Sequence, residues 1–297
     1  MNPPRTAIKT KRNKVTELWK RIRRLLIYVI LIAVAFVYFT PFVYSILGSF
    51  MTDREVRAYP PTFLPSRFIP GEWSTLLDNY AEIWRAMHFL RWIFNSVLIA
   101  VSVTLANLFF ASLAGYAFAR LKFPGRDKFF TLLLGTMMIP GAVTMIPGYI
   151  IYARLGWLDT YYVLIIPALA QVFNIFLMRQ FYQTIPEDLF DAARMDGCSL
   201  FGIFWRIMLP LSTPALAALA IYTFMGQWNN FMGPLLYMSD MDMWTIPLGI
   251  TWIARETYFE RYNIVLAGSM FNALPTLIVF ILFQKYFIKG IALTGLK

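Results

Sequence analysis

The chain has 297 residues, 59% of them hydrophobic and 14% charged, with a formal net charge of +11. That balance excludes an ordinary soluble domain and points to a polytopic membrane protein. One cysteine, Cys198, excludes an internal disulfide framework. One histidine, His88, with no cysteine near it in sequence, leaves no evident metal site.

Residues 1–24 read as a basic tail and residues 25–50 as a first apolar span. The triplet Ala33-Val34-Ala35 has the look of a cleavage site, but the apolar run continues through Phe36, Val37, Tyr38 and Phe39. An uncleaved anchor is therefore expected rather than a signal peptide. After a segment at 51–91 come further spans at about 92–118, 129–152, 162–181, 207–237 and 264–287, each meeting the ~20 residues a helix needs to cross hydrocarbon. The expected fold class is all-α, a polytopic membrane helix bundle with six transmembrane helices.

With the N-terminus inside, 19 of the 27 basic residues fall inside, every lysine among them. The eight outside are Arg54, Arg57, Arg67, Arg85, Arg91, Arg154, Arg255 and Arg261. This asymmetry places both termini and a hairpin at 184–206 in the cytoplasm. Anionic lipid headgroups account for the basic tail, so the charge calls for no nucleic acid.

Within the second span, Ala111, Gly115 and Ala119 recur every four residues and allow close helix contact. Pro140-Gly141 and Pro147-Gly148 interrupt the third, as either a fixed kink or a gate. No acidic or basic residue sits in the middle of a span, which argues against an ion-coupled carrier. The polar equipment is instead Asn95, Asn107, Gln171, Asn174, Gln227, Asn229, Asn230 and Asn272. Such groups suit a neutral, hydroxyl-rich solute. In the cluster Gln227-Trp228-Asn229-Asn230, amides beside an indole fit a sugar; an interfacial tryptophan with helix-joining amides fits as well. The candidate solute path is Asn174, Gln227, Trp228, Asn229 and Asn230.

The stretch 184–214 is polar between two apolar spans and reads as two short helices. Thr184 and Glu187 have capping-box spacing, and Pro186 suits a helix start. Leu189, Ala192 and Ala193 mark an apolar stripe, with Asp188 and Asp191 facing elsewhere. Gly197 fits a left-handed stop and Ser199 a cap for the second helix. Cys198 reads as a small packing residue. In the outer loop 239–262, Met241, Met243, Trp244 and Trp252 suit either a partner or the membrane surface.

The pattern Asp191-Ala192-Ala193, three residues, Gly197, nine residues, Ile207, one residue, Leu209-Pro210 is similar to the EAA loop of ABC importer permeases. Asp191 stands where that pattern has glutamate, one methylene longer. Asn79-Tyr80, Asn95-Ser96, Ala114-Gly115-Tyr116-Ala117-Phe118-Ala119-Arg120, Phe123-Pro124-Gly125-Arg126, Met138-Ile139-Pro140-Gly141 and Trp228-Asn229 resemble the carbohydrate-type (maltose-type) permeases. The resemblance implies the ABC type I importer permease (MetI-like) fold, with residues 92–289 as the permease core and 290–297 as a cytoplasmic tail that either reaches the ATPases or is a solvated end held by lysine at the headgroups. It implies a second permease subunit, two cytoplasmic ABC ATPases, an extracytoplasmic solute-binding protein and a bacterial or archaeal plasma (inner) membrane. It further implies that Asp191, Ala192, Ala193, Gly197, Ile207, Leu209 and Pro210 couple the chain to an ATPase.

The expected function is the permease subunit of an ATP-driven, binding-protein-dependent importer of a sugar or related polyol. A secondary carrier for a neutral solute is the alternative. The chain carries no phosphate-binding glycine loop, so it needs no cofactor of its own, and ATP and Mg belong on the partner ATPase. No catalytic set is evident, so it is not expected to be an enzyme.

Overall fold

A computed structural model describes the backbone of residues 5–69, 73–85, 88–255 and 261–294, and side chains between 19 and 282 within those ranges except that of Ala254. Helix α1 (Arg5–Gly48) is continuous, with Pro41 inside it, and its backbone marks no break at the 24/25 boundary. Its apolar part, Trp19–Gly48, is unburied along its best window. Short helical turns and α2 (Asp78–Arg85) follow. The bundle then comprises α3 (Phe89–Arg120), α4 (Arg126–Thr136), α5 (Gly141–Arg154), α6 (Tyr162–Thr184, with a tight turn at Ile166–Ala168) and α7 (Glu187–Met195). It continues with α8 (Leu200–Leu211), α9 (Thr213–Trp228), α10 (Met232–Tyr237), α11 (Ile246–Arg255) and α12 (Tyr262–Thr294).

Four of these helices are long and apolar enough to cross a membrane, or up to six if each bent pair is one span. Two expected spans are broken. The third divides into α4 and α5, which meet at 92°. Pro140 stands just before α5 and marks the break, whereas Pro147 lies inside α5 without interrupting it. Two prolines of similar sequence context thus have different outcomes, because the last turn of α4 has already closed tightly at Met137 to Ile139.

The fifth span, expected at 207–237, is shorter at both ends. Residues 207–211 belong to α8, which meets α9 at 77°. Helix α9 ends at Trp228, and α10 starts anew at Met232. Its 16 residues reach ~24 Å. Trp228 is therefore 15 residues from the helix start, at the end of α9 opposite the hairpin.

Helix α3 is central, packed along α6 and α9, while α9 and α11 pack on α12. Its buried residues step by three and four from Trp92 through Asn95, Ile99 and Val103 to Asn107, Ala111 and Gly115, the spacing of one helical face. A Cβ on Gly115 would lie 2.7 Å from Met178 Cβ and 2.9 Å from Arg179 N, so α3 and α6 touch where only glycine fits. The expected small-residue contact is thus present.

The core forms two apolar clusters. One, at the end holding Trp92, includes Ile99, Val103, Leu164, Trp228, Trp244 and Ile264. The other, at the hairpin end, includes Ala111, Tyr116, Met178, Tyr182, Phe190 and Phe204. Between them on α3 sits Asn107, fully buried.

Candidate functional site

The hairpin is built from α7 and α8. The expected capping box does not form, because Thr184 still belongs to α6 and its hydroxyl donates back to Phe181 O at 2.7 Å. Pro186 occupies the N-cap position of α7 without a side-chain cap. Glu187 and Asp188 lie in the first turn, where negative charge complements the helix dipole. The stop matches expectation. Gly197 adopts φ +77°, and Cys198 N donates to Ala193 O at 3.0 Å, closing the carbonyls that a helix end leaves free. Ser199 Oγ accepts Gly202 N at 3.1 Å and opens α8.

The apolar stripe of α7 is not the one expected. Phe190 and Ala193 face inward, among Tyr116, Ile203 and Phe204. Leu189 is 46% exposed and Met195 88%, and Asp191 and Ala192 are exposed beside them. Ala192 and Ala193 therefore serve opposite faces. Adjacent positions differ by ~100° on a helix, so the large ring of Phe190 selects the buried side and Ala193 follows it at three residues' spacing.

Within α8, Phe204–Met208 form a π turn, and Leu209 N donates to Phe204 O. The cause is Pro210, which has no N–H to donate and whose ring crowds the carbonyl one turn back. Ile207 and Leu209 are half-buried against the hairpin-end cluster, and Pro210 is exposed. At the bend into α9, buried Ser212 donates to Leu209 O at 2.8 Å and lies 3.4 Å from the Tyr182 hydroxyl.

Two anchors of this hairpin lie in a motif that the sequence marked only for its family resemblance. Tyr116 OH donates to Leu200 O at 2.9 Å, and Arg120 Nη2 donates to Tyr182 O at 2.6 Å and also to Ile185 O. Both residues lie in the segment Ala114–Arg120, whose aromatic and cationic residues at a helix end were the available signal. Nearby, the hydrogen bond from Arg126, with the charges of Arg126 and Arg179, holds the Asp127 carboxyl below its ordinary range against an opposing desolvation effect.

The amides are mostly fasteners. Asn107 Oδ1 accepts Gln171 N at 3.0 Å and Asn174 Nδ2 at 2.8 Å, and Asn174 also donates to Thr223 at 3.1 Å. Asn95 donates to Asp242 O at 2.7 Å and Trp244 O at 2.8 Å, and accepts the Tyr161 hydroxyl at 2.7 Å. Trp228 is 2% exposed, stacks on Phe224 at 5.6 Å and donates to Asn272 O at 2.8 Å. Its ring offers no free face, which corrects its place as a stacking platform, and Asn174, 0% exposed, lies behind the helices. Gln227 Oε1 is buried without a hydrogen-bond partner. Asn229 is exposed and pairs with Asn272 at 3.0 Å. Asn230 is half-buried and lines a cavity between α5 and α10.

At the opposite end, much of the loop 239–262 folds inward, although 256–260 lie outside the described residues. Trp244 is buried, and Met241 and Met243 pack on its cluster. Trp92 Nε1 donates to Met241 O at 2.8 Å. Trp252 alone of the four stays largely exposed, edge-on to Trp244 at 5.2 Å. Asn79 fastens the same end, donating to Ser49 O and Met51 O at 2.8 Å each and accepting Asn263 Nδ2 at 3.0 Å. Among the described residues, no group of three or more His, Cys, Asp or Glu could hold a metal.

The helix bundle, with two bent spans and a two-helix hairpin packed at one end, has the form of a polytopic membrane protein, and sequence comparison gives the family. Residues 73–292 match the family described as binding-protein-dependent transport system inner membrane component, and the chain belongs to it. It is 40% identical over 266 residues to the arabinooligosaccharides transport system permease protein AraQ of Halalkalibacterium halodurans, covering 89% of this chain and 93% of that protein. It is 32% identical over 276 residues to the lactose transport system permease protein LacG of Rhizobium radiobacter, covering 93% and 97%. The fold is that of a chain in a bacterial ABC transporter involved in importing the acidic polysaccharide alginate. That match has a TM-score of 0.76 at 24% identity and covers 90% of this chain and 97% of that one.

Proposed function

We propose that this permease subunit imports a sugar and is driven by ATP hydrolysed on separate ATPase subunits docked against α7. The observation that carries the reading is the divided surface of that helix. Phe190 and Ala193 hold it to the bundle, while Asp188, Asp191, Ala192 and Met195 stand free on the outside. An exposed apolar and acidic face on a helix closed at its C-terminal end by Gly197 fits a groove with apolar walls and a basic residue.

In this reading Asp191 supplies the charge-assisted contact, Ala192 the close approach and Gly197 the turn. Ile207, Leu209 and Pro210 transmit movement to α9 through the bend at Ser212. Closure of two ATPases, each with ATP and Mg, draws the hairpins of this chain and a second permease together. The spans then switch as rigid bodies between inward and outward states. The distribution of lysines supports a cytoplasmic hairpin and cytoplasmic termini. An extracytoplasmic binding protein delivers the solute. Sugar specificity is supported by the AraQ and LacG relatives. The domain reading keeps residues 1–24 as tail, 25–50 as first span, 51–91 as outer segment, 92–289 as permease core and 290–297 as tail, whose side chains lie outside the described residues.

The test is Ala192→Arg in the full complex. We expect the ATPase to be lost on purification while the hairpin stays folded, because Ala192 makes no inward contact. An ATPase that remains bound and is stimulated normally by loaded binding protein would remove the docking assignment.

A further inference from the structure

Gly141, which follows the break between α4 and α5, and Asn230, in the junction between α9 and α10, line one cavity, whereas Ser212 at the bend between α8 and α9 does not. The cavity has a volume of about 690 Å³ and is lined by Gly141, Thr144, Gly148, Asn230, Gly233 and Tyr237 among others. That size falls within the ~300–1,000 Å³ of small-molecule sites. Irregular backbone at membrane depth is tolerated where it is buried in protein or lines a water-filled space. Two helix breaks meeting at one cavity thus mark it as part of a path rather than as a packing fault.

The lining has a definite chemistry. Two lining residues, Tyr152 and Tyr237, meet edge-on at 5.4 Å and 85°; one face of Tyr237 is covered by Tyr149, outside the lining, at 6.2 Å, and one face of Tyr152 by Trp157 at 6.1 Å. The two rings still combine apolar carbon with hydroxyl tips. The Asn230 oxygen accepts Gly233 N at 3.1 Å, which fixes that amide at the rim. At Gly148 a Cβ would come no closer than 3.6 Å to Tyr152 and 3.8 Å to the Tyr237 hydroxyl. Glycine is therefore not required there by packing, and its bareness keeps the cavity open. No charged side chain is among the described lining residues.

We propose that this cavity between α5 and α10 is a contact site for a neutral saccharide on its way through the bundle. The C–H faces of a sugar ring pack on the tyrosines, and its hydroxyls pair with Thr144, Asn230 and the tyrosine hydroxyls. An anionic sugar finds no cation there and is disfavoured. The proposal rests on the importer reading above.

The test reconstitutes the complete transporter with its binding protein in proteoliposomes. Uptake of labelled arabinotriose, maltotriose and a uronate trisaccharide is measured for the wild type and for Gly148→Ala, Gly148→Leu and Gly148→Phe. Larger side chains at this helical position favour the helix but fill the cavity. We expect the wild type to import a neutral trisaccharide. Uptake should then fall stepwise with side-chain volume, at least tenfold for Gly148→Phe, while all subunits still co-purify. Uptake within twofold of wild type across the series would overturn the cavity assignment and leave the importer reading intact. Loss of subunits in Gly148→Leu would reassign this face to a subunit contact, and preferred uptake of the uronate would refute the neutral chemistry. No uptake of any of the three sugars by the wild type would sink the importer reading and this site with it.

Discussion

Asn174 donates its side-chain amide to the amide oxygen of Asn107 at 2.8 Å, and both residues are fully buried. The pair links α6 to α3 at the level where the two apolar clusters separate. Thr223 of α9 joins it at 3.1 Å, so three spans share one polar knot. Apolar packing discriminates little between helices in lipid, because lipid tails are as apolar as leucine. The amide pair specifies both partner and register, although the buried Asn174 Oδ1 itself has no hydrogen-bond partner.

Replacing either residue should expose that role. Asn107→Leu strands Gln171 N–H and leaves the Asn174 amide only its bond to Thr223, and a stranded buried group costs about 1–3 kcal/mol. We expect a lower unfolding temperature in detergent. In a double-mutant cycle, Asn107→Ala and Asn174→Ala should couple by about 1 kcal/mol, within the range of membrane hydrogen bonds. Strict additivity would show that the two amides act independently.

Ala193→Arg makes a contrast with Ala192→Arg. Ala193 is 5% exposed and has no room for a guanidinium beside Tyr116 and Phe204, so the hairpin itself should loosen. Limited proteolysis between residues 184 and 206 should accelerate in Ala193→Arg and not in Ala192→Arg. Equal cleavage of both would contradict the two-faced arrangement of α7.

Gly115→Leu should disrupt the bundle more severely. Even a methyl at this position meets Met178 and Arg179 backbone atoms inside contact distance, and overpacking of this kind costs about 1–3 kcal/mol or more. Loss of monodisperse protein on size exclusion is expected, and Met178→Ala should not restore it, because alanine keeps the Cβ and backbone atoms that a side chain at 115 would meet. Wild-type behaviour of Gly115→Leu alone would refute the close approach.

The outer segment carries a pH dependence at Glu55. Burial works against its charge, but the backbone N–H groups of Thr52 and Ser66, each 2.8 Å from a carboxylate oxygen, and the Thr52 hydroxyl hold its pKa below the ordinary value. A carboxylate depressed on folding adds stability that is present above its unfolded pKa of ~4.3 and is lost as pH falls through the folded value. Thermal stability should thus decline between about pH 5 and 3 in the wild type, and less steeply in Glu55→Gln. Parallel curves would assign the decline to other groups.

Much of the organisation was legible from sequence because membranes impose strong rules. Length and hydropathy marked six spans, the lysines proposed their direction, and Gly197 and Ser199 marked the hairpin through local backbone demands that need no tertiary partner. What only tertiary structure decided is which polar groups are already used. Asn107 and Asn174 read in the sequence as polar equipment for a solute, and Trp228 as either a sugar platform or an interfacial ring among helix-joining amides, yet each bonds a neighbouring helix more than 40 residues away. The same holds for Ala192 and Ala193, identical in type and adjacent in chain. One is outside and the other inside because a helix turns ~100° per residue, and the side that faces the bundle is set by where Tyr116, Ile203 and Phe204 lie.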